Sequence, residues 1–587
     1  MNTIIKRDGR VVPFNALKIR DAILKAMAET EAGPDIPLAT MIAGQIAQIE
    51  GQLSVEEIQD MVEEKLMDSN RKDAARKYII YRNERTKIRE RDSDLMRKIK
   101  EKVTASNVEN ANANVDERSF GGRKAEAAAI IQKEIALDEL MSKDIAEAHR
   151  GCLIYQHDLD SYAIGMHNCL FCDVGYLFDH GFSTRNGDVR PPNSYSTACQ
   201  QLAVILQCQS QIQYGGVASL HVDMDLAPFV KKSFVKFYID GMKYIERCTQ
   251  ADIDTFSDWF KQNEFSIADP WLSEDRPAVY TYAMDLLERE GRQASQALFH
   301  NLNTLESRAG SQVPFSSVDL GRDTSPEGRL VTKWLLEASI DGIGKHHLTS
   351  IFPISIMCYK KGVNADPGDP NYDLKKLAIQ SLSKRIYPNF ANGDWSEAHE
   401  DPNDPDTIFG TMGCRTLIGY DRHGFGYSRV GRGNNVPITI ILPKLGIEYG
   451  IALGGRETAD LDGFWNAFED TLKLVERALV QRFWHMAKQP PKAAPFMYQN
   501  HTIRGFEDGD PNVFNALKHG TLAFGYLGIS EMCYALFGKT HAQDKDVHAF
   551  ALKVVARIAE YAKEASERND LNFSCYASPE LLWGLAQ

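Results

Sequence analysis

Two cysteines in this chain have neighbours suited to radical or nucleophilic sulfur chemistry. Cys414 follows a glycine in the run Thr-Met-Gly-Cys-Arg at 411–415, and Cys169 lies in His-Asn-Cys-Leu at 167–170. Glycine allows close approach of the backbone, and a thiol supplies either a weak S–H bond or a nucleophilic thiolate. Taken alone, Cys414 is equally consistent with a small buried hydrophobic side chain.

Cys169 and Cys172 form a Cys-x2-Cys pair, a spacing that suits zinc or a redox couple. A structural zinc needs two further ligands, and the sequence holds no second pair of this kind. We therefore expect no metal site and favour a core cysteine beside a reactive one. The ten cysteines are scattered, which is typical of reduced thiols rather than of a disulfide framework.

Two further segments have the composition of anion sites. Lys6, Arg7 and Gly9 precede a helix start that carries Lys18, so basic side chains and a helix N-terminus would meet a phosphate. The alternative is a hairpin tip with ordinary surface lysines. Gly525 and Gly528 lie where a strand leads into a helix, a generic anion site without the lysine of a P-loop.

Composition restricts the class of protein. The 587 residues carry a net charge of -13, so the basic surface of a nucleic-acid-binding protein is missing. The sequence has no apolar segment of the length that a membrane span requires, and no signal peptide at its start. We expect a cytoplasmic protein without nucleic-acid or membrane partners.

The elements that position these residues fall into two domains joined by a connector. Residues 1–92 predict a small helical domain, with a hairpin at Asp8-Gly9, an N-cap at Asn15 and a capping box of Ser54 and Glu57. The charged segment 93–103 is the predicted connector, and residues 104–587 form the second domain. There, long helical patterns alternate with strand-like runs at 350–359, 415–420, 438–442 and 520–526, which favours an α/β architecture of barrel type.

The order of short motifs along the chain resembles a known enzyme family. Residues 6–82 resemble the ATP-cone, a regulatory nucleotide-binding module. Together with it, the later motifs resemble the anaerobic (class III) ribonucleoside-triphosphate reductases; they lie at 109–112, 157–160, 168–169, 213–216, 303–305, 369–373, 384–388, 412–415 and 525–529. The resemblance covers essentially the whole chain.

The resemblance implies a ten-stranded α/β barrel of the glycyl-radical enzyme type and assigns roles to its residues. A finger loop inside the barrel would carry Cys414 as the thiyl radical that takes the 3′-hydrogen of the ribose. Cys169 would supply a hydrogen during loss of the 2′-hydroxyl, Asn434 would lie close to the finger loop, and formate would supply the electrons. A dry interior protects such a radical from quenching.

In the ATP-cone, the resemblance implies that ATP activates the enzyme and dATP inhibits it. Lys6, Arg7, Gly9 and Lys18 match the effector-binding motif best. Gly525 and Gly528 are the candidates for the substrate phosphates. The segment 188–194 departs from the charged pattern expected at the specificity site, so no residue there is assigned.

The family also implies partners and a radical store. Its members carry two Cys-x2-Cys pairs for zinc and an Arg-Val-x-Gly-Tyr loop whose glycine holds the radical, and neither motif occurs in these 587 residues. We therefore expect a chain truncated before the glycyl-radical domain and inactive alone, or one that works with a separate C-terminal fragment. The other expected partners are ribonucleoside triphosphates, a radical-SAM iron–sulfur activating enzyme and a second copy in a homodimer.

Two alternatives stay open at the level of sequence. The first is a non-catalytic remnant that binds ATP or dATP, against which the presence of Cys169, Cys414 and Asn434 together argues. The second is a different glycyl-radical enzyme, such as a formate-lyase-like acyltransferase. Those enzymes usually carry adjacent paired cysteines on the finger loop, whereas Cys414 is single, and an ATP-cone would be unexpected in them.

Overall fold

The computed structural model describes residues 3–6, 10–49, 51–108, 115–308, 310–413 and 416–577, with only the backbone within 89–93. The chain divides into two compact units, residues 1–101 and 102–587. The division falls within the predicted connector 93–103, which belongs to a helix running from Lys72 to Thr104. The domain limits expected from the sequence stay a prediction.

The N-terminal unit is mostly helical, as predicted. Its elements are β1 (Thr3–Ile5), β2 (Val11–Pro13), α1 (Ala16–Ala28), α2 (Ile36–Ala47), β3 (Leu53–Ser54), α3 (Val55–Asp68) and α4 (Lys72–Thr104). The side chain of Asn15 accepts a hydrogen bond from the backbone N–H of Leu17, and Ser54 and Glu57 form a reciprocal capping box. β1 pairs antiparallel with β2 and parallel with β3.

The second unit alternates strands and helices. Its strands are β4 (Ile154–Gln156), β5 (Cys169–Phe171), β6 (Phe182–Thr184), β7 (Gly187–Val189), β8 (Val217–Ser219), β9 (Ser316–Leu320), β10 (Ile354–Tyr359), β11 (Asn389–Asn392), β12 (Gly433–Ile441), β13 (Thr521–Leu527) and β14 (Asn572–Ala577). Its first helices are α5 (Phe120–Ile135), α6 (Lys143–Arg150), α7 (Val174–His180), α8 (Tyr195–Ser210), α9 (Val222–Tyr244), α10 (Gln250–Gln262), α11 (Pro270–Asp275) and α12 (Pro277–Thr304). The remaining helices are α13 (Pro326–Asp341), α14 (Tyr372–Lys384), α15 (Leu442–Tyr449), α16 (Leu461–Ala487), α17 (Pro495–Gln499), α18 (Phe514–Leu517), α19 (Ile529–Phe537) and α20 (Lys545–Asn569).

The main sheet forms a half-barrel. Its order is β11-β10-β9-β8-β5-β12-β13-β14, and β4 also pairs with β12, so the described residues contribute nine strands. β11, β10, β9, β8 and β5 run parallel, as do β12, β13 and β14, and the two groups meet antiparallel at β5 and β12. The predicted α/β class is confirmed; the resemblance implied ten strands, and nine lie in the part of the chain described.

The two faces of the sheet have different surroundings because alternate side chains of a strand point to opposite faces. Leu170, Val318 and Phe524 belong to the main hydrophobic core, which also contains residues of the long helices. Cys169 and Phe171 belong instead to a smaller cluster with Met412, Ile418 and other buried side chains. We call the face that carries Cys169 the inner face.

One strand predicted from the sequence is wrong. Three of the four strand-like runs overlap β10, β12 and β13, but residues 416–420 of the run 415–420 form no strand and share only a single bridge with Met412. The reason lies in their hydrogen bonds: the carbonyls of Ile418 and Gly419 accept from arginine side chains instead of a neighbouring strand. β propensity alone does not supply a strand partner.

Candidate active site

Cys169 begins β5 on the inner face and is 7% exposed. Its Sγ lies 3.2 Å from the backbone N of Gly216, which donates to it, and 3.3 Å from Oδ1 of Asn168. Thr416 Oγ1 is 3.9 Å from the same sulfur. A Cβ on Gly215 would approach Sγ to 2.7 Å and Asn168 Oδ1 more closely still, so this position requires glycine.

Asn434 lies directly across the sheet from Cys169. The two residues are paired in the register of β12 and β5, and Asn434 is 1% exposed. Neither its Oδ1 nor its Nδ2 has a hydrogen-bond partner among the residues described. Buried amides are almost always hydrogen-bonded, so this side chain has the properties of a ligand-binding group. The two residues predicted to share the site are therefore brought together.

The candidate finger loop, of which the structure describes residues 411–413 and 416–418, approaches the inner face. The backbone N of Gly413 donates to Ser317 Oγ at 3.1 Å, and that of Thr411 donates to Asp319 Oδ2 at 3.0 Å. Met412 and Thr416 exchange backbone hydrogen bonds at 3.0 and 3.2 Å, and Gly413 has φ 59°, a left-handed conformation that suits glycine. Cys414 lies outside the described residues, so its role stays a prediction, but Thr416 brings the loop against Cys169.

Asp319 is a completely buried carboxyl group beneath this loop. Burial raises the pKa of Asp319 well above its usual value. Its Oδ2 accepts the hydrogen bond from Thr411, whereas Oδ1 has no partner among the residues described. A protonated carboxyl group can both accept from the loop and donate to a further group.

Two buried arginines donate hydrogen bonds to backbone carbonyls on either side of this loop. Arg429, 2% exposed, donates to the carbonyls of Thr407 and Ile408 before the loop and of Ile418 at its end. Arg432, 1% exposed, donates to the carbonyls of Gly419 and Ser428 at 2.9 and 2.6 Å and to that of His519. Burial lowers the pKa of each guanidinium to about 10.

The sequence did not single out these anchoring residues. Asp319 stands in an ordinary strand pattern, and Arg432 occurs in a Gly-Arg-Gly run that is typical of a turn. One sequence signal for the arginines was available, namely the run just before β12 that holds two arginines and three glycines. A glycine-rich loop exposes backbone carbonyls, and a buried guanidinium needs such acceptors.

Cys172 is separated from Cys169 by the sheet. It packs in the main core, and burial raises the pKa of its thiol above the usual range. A shared zinc would need both thiolates on one side with two more ligands. No cluster of three or more metal-ligating side chains occurs in the described part of the chain.

The candidate phosphate residues lie further along the inner face. Leu522 and Phe524 point into the main core, so Thr521, Ala523 and Gly525 of β13 share the opposite face. Gly525 is four residues beyond Thr521, which pairs with Asn434, a separation of ~13 Å along the strand.

Gly528 ends this segment at the start of α19. It has φ 78°, and a Cβ there would overlap the ring of Pro443. The backbone N–H groups of the first turn of α19 follow directly. The phosphate role of Gly525 and Gly528 stays a prediction.

In the ATP-cone, Lys6 and Lys18 are the candidate effector-binding residues that the structure describes. Lys6 follows β1 and donates its backbone N–H to Arg10, while Lys18 is exposed in the first turn of α1, a turn without an acidic residue. A lysine at the positive end of a helix is unfavourable unless an anion binds nearby. Arg7 and Gly9 lie outside the described residues.

Comparison with known proteins defines the class of protein. The family model described as anaerobic ribonucleoside-triphosphate reductase matches residues 111–580, and that of the ATP cone domain matches residues 2–87. The chain belongs to the anaerobic ribonucleoside-triphosphate reductase family and carries an N-terminal ATP-cone. The resemblance seen in the order of the motifs is thereby confirmed.

Individual relatives agree with this assignment. The anaerobic ribonucleoside-triphosphate reductases of Escherichia coli (strain K12) and Haemophilus influenzae are 32% and 31% identical over 590 and 589 residues, each match covering 98% of this chain and 76% of the relative. A solved structure of an anaerobic ribonucleotide reductase has a TM-score of 0.55 at 16% identity, covering 83% of this chain and 68% of that one. The latter likeness supports the fold. No helix in the described ranges is long and apolar enough to cross a membrane.

Proposed function

We propose that this protein reduces ribonucleoside triphosphates to deoxyribonucleoside triphosphates by thiyl-radical chemistry. The observation that carries the proposal is the pairing of Cys169 with Asn434, whose buried amide has no described partner, beneath the finger loop. Cys414 takes the 3′-hydrogen of the ribose, and Cys169 supplies hydrogen as the 2′-hydroxyl leaves as water. Asn434 binds the ribose hydroxyls, and Gly525 and Gly528 receive the phosphates.

Formate is the proposed reductant. One ribonucleotide, one formate and one proton give one deoxyribonucleotide, one carbon dioxide and one water, so the two electrons come from the formate C–H bond. The thiyl radical on Cys414 originates from a glycyl radical outside residues 1–587, in the same or a separate chain, which a radical-SAM iron–sulfur enzyme generates. A homodimer and a cytoplasmic location complete the proposal.

The test is reconstitution under anaerobic conditions. The protein, a glycyl-radical segment and an activating enzyme are mixed with each ribonucleoside triphosphate, and deoxynucleotide formation is measured with and without formate. We expect formation that depends on formate and disappears in Cys169→Ala. Binding of ATP or dATP without product in any mixture would contradict the proposal and favour a non-catalytic nucleotide-binding protein.

We further propose that ATP activates and dATP inhibits through the ATP-cone. Lys18 at the start of α1 favours an anion there, because its charge otherwise opposes the helix dipole. The double variant Lys6→Ala, Lys18→Ala should weaken ATP binding at least tenfold, since each lost charge-assisted hydrogen bond costs about 1.5–3 kcal/mol. Calorimetry measures the affinity.

The control for this experiment is Lys25→Ala, in the last turn of the same helix. Lys25 complements the negative end of α1, so its removal should leave ATP affinity unchanged. An unchanged affinity in the double variant would refute the phosphate-binding role of Lys6 and Lys18.

A further inference from the structure

Arg308 has a guanidinium that is only partly hydrogen-bonded among the residues described. Its Nη2 donates to the carbonyl of Tyr214 at 2.9 Å, and its Cζ lies 5.1 Å from the centre of the Phe315 ring. Nη1 is buried, and nothing in the described ranges accepts a hydrogen bond from it. Among the residues described, no carboxylate forms an ion pair with Arg308.

The position of this guanidinium is tied to Cys169 by backbone contacts. Tyr214, which accepts from Arg308, donates its N–H to the carbonyl of His167, and Gly216 donates its N–H to Cys169 Sγ. Tyr214 and Gly216 are two residues apart and thus separated by at most about 7.6 Å. The carbonyl that accepts from Arg308 and the N–H that donates to the sulfur of Cys169 therefore belong to one short segment, residues 214–216.

The influences on the pKa of Arg308 are consistent with its lying close to Cys169. Burial lowers the pKa of Arg308, and negative charge on Asp158, Asp160 and Cys169 acts in the opposite direction. A buried cation without a partner is unfavourable, because desolvation costs several kcal/mol that an anion would offset. The environment therefore favours binding of an anion at Nη1.

The chemistry of the site indicates which anion. A guanidinium matches the planar carboxylate group in shape and hydrogen-bonding pattern, and a single unpartnered nitrogen with its two N–H groups suits one small, singly charged ligand. A triphosphate carries several negative charges and has its own candidate residues, Gly525 and Gly528. Of the reactants in the proposed reaction, formate, a one-carbon carboxylate, is therefore the anion that suits a site beside the sulfur.

We propose that Arg308 binds the carboxylate of formate beside Cys169. This inference rests on the proposed function, in which formate is the reductant. When Cys169 has given up its hydrogen atom, the formate C–H bond breaks and an S–H bond forms at its sulfur. The carbon dioxide radical anion that remains passes its electron to the oxidised nucleotide and leaves as carbon dioxide.

Binding of formate tests the proposal without turnover. The line width of ¹³C-formate is measured by NMR on titration with the full-length protein, with Arg308→Gln and with Arg308→Lys. We expect broadening by the unsubstituted protein, binding at least about tenfold weaker in Arg308→Gln, and an intermediate affinity in Arg308→Lys, since a hydrogen bond to a charged group contributes about 1.5–3 kcal/mol.

The matched control is Arg422→Gln, which removes an arginine that pairs with the exposed Asp570. It should bind formate like the unsubstituted protein, and near-ultraviolet circular dichroism verifies the fold of every variant. Equal broadening by Arg308→Gln and the unsubstituted protein, or no broadening by either, would overturn the inference.

Kinetics in the reconstituted system distinguish the two proposals. If both hold, Arg308→Gln raises the KM for formate at least tenfold and leaves the KM for the nucleotide unchanged. Formate binding that depends on Arg308, together with no deoxynucleotide formation by the unsubstituted protein, would refute the reductase function while an Arg308 carboxylate site remained. A raised KM for the nucleotide alone would assign Arg308 to the substrate and contradict the formate site.

Discussion

At the scale of single residues, the two cysteines of the Cys-x2-Cys pair should respond differently to the same substitution. Cys169→Ser keeps a hydrogen-bonding group beside Gly216 and Asn168, so the fold should persist, but an O–H bond is too strong to exchange a hydrogen atom with a ribose radical. We expect deoxynucleotide formation to fall below detection while the urea midpoint stays nearly unchanged.

Cys172→Ser is the matched control. It places a hydroxyl in the main core, and an unsatisfied buried hydroxyl costs about 1–3 kcal/mol of unfolding free energy. The urea midpoint should therefore fall while turnover per folded molecule stays. Turnover by Cys169→Ser equal to that of the unsubstituted enzyme would contradict its assignment.

At the scale of elements, Arg429 joins the two ends of the finger loop. One guanidinium contacts carbonyls on both sides of the loop, so Arg429→Met should release the loop from the inner face. We expect the unfolding free energy to fall by about 3 kcal/mol or more, because several hydrogen bonds to a buried charge are lost. Urea unfolding measures it.

The comparison variant is Arg422→Met, four residues beyond the loop. Its arginine forms an ion pair with the exposed Asp570, and such pairs contribute at most about 1 kcal/mol. Equal loss of stability in both variants would show that the carbonyl contacts of Arg429 contribute no more than a surface ion pair.

Local sequence signals predicted those elements whose geometry depends on neighbouring residues. The Asn15 cap and the Ser54–Glu57 capping box are correct because cap and helix lie within four residues of each other. The run 415–420 has similar propensity but forms no strand, because its partners are arginine side chains rather than a neighbouring strand. Strand formation depends on such distant contacts, which propensity does not contain.

The residues of the candidate site also divide into those that local sequence identifies and those that depend on contacts between distant parts of the chain. Cys169 and Asn434 were identified by motif and prove to be neighbours across β5 and β12. Asp319 and Arg308 were missed because nothing in their sequence neighbourhoods distinguishes them from ordinary strand or loop residues, and Arg429 had no signal beyond the arginine- and glycine-rich run before β12. Their importance follows from burial and from the carbonyls that they contact, which only the folded chain brings together.

At the scale of the whole molecule, each unit has a hydrophobic core of its own. The N-terminal unit buries Ile23, Ile42 and Val62 between its helices, and the main core of the second unit lies outside the half-barrel. Buried titratable groups in the second unit connect its stability to pH, because burial changes the proton affinity of the folded state alone.

His167, next to the site, provides the test of this connection. It is 3% exposed, its Nε2 contacts Met497 Sδ at 2.8 Å, and burial lowers its pKa from 6.5 to about 4. Between these two values the unfolded chain binds a proton that the folded protein does not. The contribution of His167 to the unfolding free energy should therefore rise by about 3 kcal/mol as pH increases from about 4 to 6.5.

The measurement is urea unfolding at intervals across that pH range, for the unsubstituted protein and for His167→Gln. Removing the imidazole should lower the slope by the contribution of His167 and leave those of other buried groups. These include His149, whose pKa burial also lowers to about 4, and Asp158 and Asp323, whose pKa burial raises to about 6 and which act in the opposite direction. The exposed His548 is the control, and His548→Gln should keep the full slope because it removes no buried imidazole. A slope in His167→Gln as steep as in the unsubstituted protein would mean that His167 takes up its proton equally in both states, and the burial argument would fail.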